Sequence, residues 1–436
     1  MIQMKSCIRC ISVCLFIASC SPKYHRLLEL CDDVEKVTGL KQNAKEYPLN
    51  SSSFVADTEK FRQKFFSVWR KDVQQKWISN IKSKDFAEYF HRKNFSRMYA
   101  NNLLRWPSKE LLRVQNNMRL CDIGQVNRRG IVIRNTICKA MPTDVPFFEN
   151  VHAPGGSYPF DENIQSLFRI GLPVFVSHLS HNNEWALVCS EICSGWVKCR
   201  DIAYVDDRFV DHYTSLKLGV FIEDGIPIRS KTQFHETTNI GMLLPKVGQR
   251  ALIPVKTLQN ESFLQWSRNK FKKTEFVYFP YKFNQTNAHE IMNKLLGNHY
   301  AWGGNTYGGR DCSLTIKDFM CVFGRHLPRN SKGQIESQRN VIDLTSITDK
   351  ESKINALCTP FQSIVYMPGH VMLYVGRDRN NRAVFFHNAA GICRFDELGR
   401  FFVGKAILSH GNDTEKLYPS EKTLIQKVTK VSALNL

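Results

Sequence analysis

One stretch of the chain concentrates residues able to do covalent chemistry. It runs Tyr300-Ala301-Trp302-Gly303-Gly304 and, after a second glycine pair, Arg310-Asp311-Cys312-Ser313. Ile316, Phe319, Met320 and Phe323 then recur at helical spacing. Asp311 is a good N-cap, so the spacing predicts a helix that opens at Cys312. A thiol there meets unpaired amide N–H groups and the positive end of the helix dipole, which favour the thiolate. A free thiol titrates near ~8.5, and such surroundings can bring it to roughly 3.5–7.5. This is how a chain makes a cysteine nucleophile.

A nucleophile needs a base, and two histidines downstream are suitably placed. His370 starts a strand-like run, His-Val-Met-Leu-Tyr-Val, after Pro368-Gly369; His387 ends a second, Ala-Val-Phe-Phe-His. Arg377-Asp378-Arg379-Asn380 between them has turn character. A four-residue loop pairs Gly376 with Asn381 and sets His370 directly opposite His387, with Cβ atoms ~4.5–5.5 Å apart. A loop one residue longer or shorter puts the two on opposite faces. The expected arrangement is Cys312 as nucleophile, His370 as base and His387 as its orienter. A Cys-His zinc site fits poorly, because no Cys-x-x-Cys lies near these residues.

Tyr300, Trp302-Gly303-Gly304, Arg310-Asp311-Cys312-Ser313, Leu327-Pro328-Arg329-Asn330-Ser331, Gln334, Pro368-Gly369-His370 and His387, in this order, resemble the NlpC/p60 family of bacterial cell-wall cysteine peptidases. The resemblance covers roughly residues 284–410. It implies an α+β, papain-like domain in which the cysteine opens a helix packed on an antiparallel sheet. It casts Cys312, His370 and His387 as a Cys-His-His triad, and places the Tyr300 hydroxyl near the oxyanion or substrate. It matches Asp311 and Ser313 to positions that help hold the substrate's amino end. Leu314 departs from the Gly or Ala that many members carry after Cys-Ser. The implied reaction is hydrolysis of peptidoglycan stem peptides between D-glutamate, through its γ-carboxyl, and the following diamino acid. It requires no metal or organic cofactor.

The rest of the chain reads as a support for this domain. Residues 20–127 are mostly helical and polar. Phe61, Phe65, Val68 and Trp69 lie at helical spacing, and Trp77, Ile78 and Ile81 continue an apolar face. Phe65-Phe66-Ser67-Val68-Trp69 is similar to a signature of the N-terminal stabilising segment of such peptidases. Residues 128–205 turn β-rich, with short runs at 130–134, 173–177, 184–188 and 195–197, as in a small barrel. They resemble a bacterial SH3-like domain, and residues 206–282 resemble a second, more divergent one. The loop 154–161 carries Tyr158 and Asp161; by the resemblance, such a loop can wall the cleft and offer these groups to the free amine of the substrate. Residues 283–436 complete the expected division with the catalytic domain and a C-terminal tail.

At 436 residues and 43% hydrophobic content the chain can bury several cores. Its formal charge of +20 implies an anionic partner or surface. The basic residues are scattered and no nucleic-acid-binding motif appears, which disfavours nucleic acid. Lys5 and Arg9 precede a short apolar run, Ile11 to Ile17, too short to span a bilayer. Ile17-Ala18-Ser19-Cys20 resembles a lipoprotein signal, implying cleavage after residue 19, lipidation of Cys20 and a monomer tethered in the bacterial envelope, facing the periplasm, with peptidoglycan or muropeptides as partner. Among the 14 cysteines, Cys189, Cys193 and Cys199 cluster and could supply one disulfide. Two rival readings remain: a non-catalytic wall-binding lipoprotein, and a secreted amidase or acyltransferase using the same triad.

Overall fold

A computed structural model describes residues 28–30, 34–49, 56–82, 95–149, 158–230, 233–305, 307–393, 400–412 and 422–432. The expected signal segment and Cys20 lie outside them. The fold is α+β: a helical N-terminal region, two small antiparallel barrels, and a helix-on-sheet domain. No helix among the described residues is long and apolar enough to cross a membrane.

The helical region straps the other parts together. Asp57 caps the helix Thr58–Phe65, its carboxylate accepting from the Lys60 N–H. The helical spacing predicted through Trp69 breaks after Phe65; Ser67–Trp69 is a separate 3-10 turn. That break turns Trp69 inward, where its indole N–H donates to the Gly130 carbonyl at 2.9 Å. Phe61 meets Phe279 with ring centroids 4.6 Å apart.

The first barrel orders its strands as Ile164–Phe168, Thr136–Lys139, Ser194–Lys198, Trp185–Cys189, Pro173–Leu179, Arg128–Val132 and Ile202–Tyr204. The second runs Ser262–Trp266, Arg250–Lys256, Leu243–Val247, Leu218–Phe221 and Phe276–Tyr278. In the last domain, the strands Arg400–Ser409, Ala383–Cys393, His370–Arg377 and Ile364–Met367 are consecutive neighbours in a seven-stranded sheet. The helix Cys312–Val322 packs on the strands of His370 and His387. One continuous apolar core includes Phe319, Leu373 and Phe386 of this domain, Val174 and Val188 of the first barrel, and Leu243 of the second.

The histidine hairpin corrects the predicted register. Arg377 pairs with Ala383 and Gly376 with Val384, so the loop spans five residues, 378–382, and not four. Asp378 shapes it by accepting the Asn380 and Arg382 N–H groups, both at 2.9 Å, and Asn381 takes a positive φ of 62°. An extra loop residue alone puts His370 and His387 on opposite faces. A bulge between Tyr374 and Gly376 shifts the register once more, to Leu373 with Phe386. The displaced, longer loop moves the register by three residues and the bulge returns one, so the net shift of two keeps the parity. Continuing that register places His387 across from Met372, two residues from His370 and on the same face.

Candidate active site

Asp311 caps the nucleophile's helix as its sequence position requires, with Oδ1 accepting from the Leu314 N–H at 2.8 Å. The loop before it is forced close to the first barrel. Gly303 has φ 67°, and a Cβ there would stand 2.2 Å from Cγ2 of Ile164; Gly304 has φ 75°, with Cδ2 of Leu314 only 2.6 Å away. Both positions exclude any other residue without movement. Tyr300 is half-buried, and its backbone bridges to Arg310, setting the tyrosine beside the nucleophile's loop. Phe160 of the first barrel packs edge-on against Tyr300 at 5.8 Å and meets Trp302 at a tilt of 44°, 5.7 Å away.

Cys312 is 7% exposed, and the helix it opens packs on the strand that begins at His370. His370 Nε2 lies 2.9 Å from His387 Nδ1, and His387 Nε2 lies 2.9 Å from Ser409 Oγ. One proton arrangement satisfies this chain and leaves a base. His370 donates from Nε2 to His387 Nδ1, His387 donates from Nε2 to Ser409, and His370 keeps a lone pair on Nδ1. Ser409 carried no signal in the sequence, because its place two residues beyond Ile407, the partner of His387, depends on the pairing of two distant strands.

A second residue without an assigned role is Arg329. It is buried, and its guanidinium forks onto Asp311, Nη1 to Oδ1 at 3.0 Å and Nη2 to Oδ2 at 2.6 Å. It also donates to Ser313 Oγ at 2.9 Å and, through Nε, to Ser166 Oγ of the first barrel at 2.7 Å. Asp311 Oδ1 accepts from the Ser313 hydroxyl at 3.0 Å, and Oδ2 from the Gly303 N–H at 3.1 Å. Asp311 and Ser313, expected to hold a substrate's amine, are thus engaged with Arg329 in this structure.

The chain matches the NlpC/P60 family over residues 297–398, the N-terminal NLPC_P60 stabilising domain over 9–122, an SH3 domain of SH3b1 type over 146–198 and one of SH3b2 type over 206–251. Residues 297–398 are an NlpC/P60 domain, preceded by that family's N-terminal stabilising domain. Among solved structures it is similar to an NlpC/P60 endopeptidase from Photobacterium damselae subsp. piscicida, at 21% identity and a TM-score of 0.78, covering 91% of this chain and 97% of that one. An NlpC/P60 family protein from Bacillus cereus shares 13% identity over 70% of this chain and 98% of its own, with a TM-score of 0.46. A comparison with curated proteins finds no match. The fold is therefore that of an NlpC/P60 endopeptidase, with all four family segments present in one chain.

Burial sets the charge states within this NlpC/P60 domain. It pushes the Cys312 thiol up to about 12, with the nearby Asp311 carboxylate adding to the rise. It drives His370 down to about 4, against the pull of Asp311, and lowers His387 well below the ordinary range, with His370 adding to the fall. Desolvation thus outweighs the helix N-terminus and favours the neutral form of both groups, against the thiolate expected from helix position alone. Burial also raises the Asp311 carboxyl, but Arg329 outweighs it and holds that group below the usual carboxylate range.

The loop residues expected to meet substrate differ in exposure. Tyr158 is 56% exposed and stacks edge-on against Phe148 at 5.2 Å. Asp161 is buried, and its Oδ1 accepts the Phe147 and Asn163 N–H groups, both at 2.9 Å. Asp161 nevertheless lines a groove of about 710 Å³ that runs between both barrels and the loop Gly304–Gly308, with Lys139, Trp185, Lys198, Glu236 and Tyr307 also on its walls. Among the described residues no group of three or more His, Cys, Asp or Glu could hold a metal ion.

Proposed function

We propose that this protein is a cysteine endopeptidase of peptidoglycan stem peptides, cutting the amide between γ-D-glutamate and the following diamino acid. The observation that carries this reading is the chain of contacts His370–His387–Ser409 on the two strands against which the helix of the capped, buried Cys312 packs. As the scissile carbonyl enters, the Cys312 proton passes to His370 Nδ1 and sulfur attacks the carbonyl carbon. The Cys312 backbone N–H and the Tyr300 hydroxyl are the candidate oxyanion donors; loss of one such donor costs about 2.7–4 kcal/mol of barrier. Protonated His370 then gives its proton to the leaving amine, and in the second half activates water against the thioester. His387, steadied by Ser409, keeps His370 in the tautomer this requires.

The family's place in this reading is supported by the matched segments and the shared fold. The groove lined by Gly304, Tyr307 and Gly308 is where we assign the flanking parts of the stem peptide, with Asp161 on its wall; Tyr158, exposed beside Phe148, is assigned to the same substrate end. Cys20 is assigned as a lipidated anchor that keeps the monomeric enzyme on the periplasmic side of the envelope, which suits the charge of +20 against anionic wall and lipid. The test is incubation of the mature protein with defined muropeptides, with and without a free N-terminal L-alanine, followed by mass spectrometry. Fragments ending in γ-D-glutamate are expected, and none from Cys312→Ala. Full cleavage by a folded Cys312→Ala protein would sink the assignment.

A further inference from the structure

Two lysines meet on the wall of the groove beside the nucleophile's loop. Lys139 and Lys198 come from neighbouring strands of the first barrel, Thr136–Lys139 and Ser194–Lys198. Both line the groove with Asp144, Trp185 and, from the catalytic domain, Gly304 and Tyr307. Their side chains are only 10% and 17% exposed. Lys198 Nζ lies 3.8 Å from the centre of the Trp185 ring, and Lys139 Nζ 6.0 Å from it. One carboxylate serves both ammonium groups. Asp144 Oδ2 is 2.8 Å from Lys198 Nζ, but Oδ1 is 3.7 Å from Lys139 Nζ, beyond hydrogen-bond length. Asp144 itself is 70% exposed, and Glu184, also exposed, comes no nearer than 4.0 Å to Lys198. Two other acids on the walls are turned elsewhere. Asp161 Oδ1 accepts its two backbone N–H groups, and Glu236 accepts those of Asn135 and Thr237, both at 3.0 Å. A buried ammonium has three donors and is costly to leave short of acceptors. Burial accordingly lowers the pKa of Lys139, and the nearby carboxylates do not cancel the fall.

We propose that Lys139 and Lys198 form a subsite for a carboxylate of the substrate, occupied by Asp144 until the substrate's own carboxylate displaces it. The subsite belongs to the first barrel and not to the reacting groups. Lys139 pairs across strands with Ile164, the residue on which Gly303 of the nucleophile's loop closes. It therefore reads a part of the peptide that flanks the cut. Selection is by charge. A free carboxylate takes charge-assisted hydrogen bonds from both ammonium groups, whereas a carboxamide in its place forfeits the charge and an amine meets two cations. The identity of the ligand as a stem peptide rests on the peptidase reading; the under-compensated lysine pair does not. A free anion such as phosphate has the same chemistry, and the test separates the two.

The experiment titrates the full chain, carrying Cys312→Ala so that the peptide persists, with stem peptides whose free carboxylates are converted to carboxamides one at a time. Calorimetry reads the affinity. Lys139→Met and Lys198→Met are each expected to weaken the free peptide about tenfold, and to erase the effect of one particular carboxamide. Asp144→Asn has the opposite sign. With the resident carboxylate gone, the free peptide binds several-fold tighter and that one carboxamide peptide is unchanged. Asp144 is exposed, so this variant and Lys198→Met decide the matter even if Lys139→Met melts early. Lysine variants that weaken every peptide alike or none, or an Asp144→Asn protein that binds more weakly, overturn the proposal. Lysine-dependent binding of inorganic phosphate tighter than that of any stem peptide overturns the assignment to substrate. Should no stem peptide bind the parent, the peptidase reading falls, and acetate and phosphate then test the pair by the same opposite signs; anion binding that ignores both lysines overturns it.

Discussion

Replacing Arg329 by Met removes the guanidinium fork while keeping much of its volume. Asp311 is left buried, still accepting the Leu314 and Gly303 N–H groups and the Ser313 hydroxyl. Removing one partner of a buried ion pair costs about 3–5 kcal/mol, since the other charge remains without compensation. The retained neutral bonds, about 0.5–1.5 kcal/mol each, hold the expected loss near the lower end. The sign with pH is specific. In the native protein the Asp311 pKa lies below its unfolded value, so its contribution is present above about pH 4 and fades as pH falls through the lowered value. In Arg329→Met burial dominates and the pKa rises above the unfolded value, so the variant loses stability as pH climbs past about 4. Denaturant unfolding is expected to show a deficit of about 3–5 kcal/mol at pH 7, smaller at pH 4.5, with Asp311→Asn added to Arg329→Met recovering at least half of it. Arg329→Lys keeps the charge but loses the fork onto Ser166 and Ser313, and falls between. A deficit under about 1 kcal/mol at pH 7, or one that does not shrink at pH 4.5, refutes the clamp.

Three further outcomes follow from the geometry. Ser409→Ala frees the far nitrogen of His387 and should lower kcat about 10–100-fold with KM little changed, in keeping with the usual loss of an orienting partner; an unchanged kcat would remove Ser409 from the relay. Because burial places His370 at about 4, the acid limb of kcat/KM is expected near pH 4, and Cys312, at about 12, should react slowly with iodoacetamide at pH 6 and faster as pH rises; rapid alkylation at pH 6 contradicts the neutral resting pair. Gly303→Ala combines φ 67° with a Cβ 2.2 Å from Ile164, and should destabilise by about 1–3 kcal/mol; a wild-type melting midpoint would show that the loop tolerates a different path.

What the sequence made legible was local. The helix at Cys312 and its Asp311 cap depend on neighbours within four residues, and both stand as the spacing implies. The shared face of His370 and His387 was also reached, although through a register that the structure does not contain. A two-residue period is indifferent to two compensating slips, and neither the fifth loop residue nor the bulge at Val375 leaves a composition signal. Groups gathered from afar were not legible. Arg329 stood in a quoted motif without a role because its partners are Asp311, 18 residues before it, and Ser166 in another barrel. The rise in the Cys312 pKa was out of reach for the same reason: the helix N-terminus is visible along the chain, whereas desolvation by the surrounding fold is not.

Those barrels bear on the chemistry through a second buried arginine. Arg310, the residue before Asp311, is fully buried and forks onto Asp224 of the second barrel at 2.7 and 2.8 Å, while its Nε meets Asp318 of the nucleophile's helix at 2.7 Å. Arg169 of the first barrel closes the array with a bidentate pair on the same Asp318, at 2.7 and 2.6 Å. The Arg310 carbonyl accepts from Asn388, the neighbour of His387, at 2.8 Å. Burying four charges carries a desolvation cost that packed hydrophobic residues would avoid, so stability alone is a weak reason for this array. Direction is a stronger one. A hydrophobic contact tolerates sliding, whereas two bidentate forks fix both angle and register. Arg329 ties the nucleophile's loop to the first barrel through Ser166, and Arg310 ties it to the second through Asp224. The position of Cys312 relative to the strands that carry His370 and His387 is therefore set from three sides, and two of those sides lie outside the domain that holds the reacting groups.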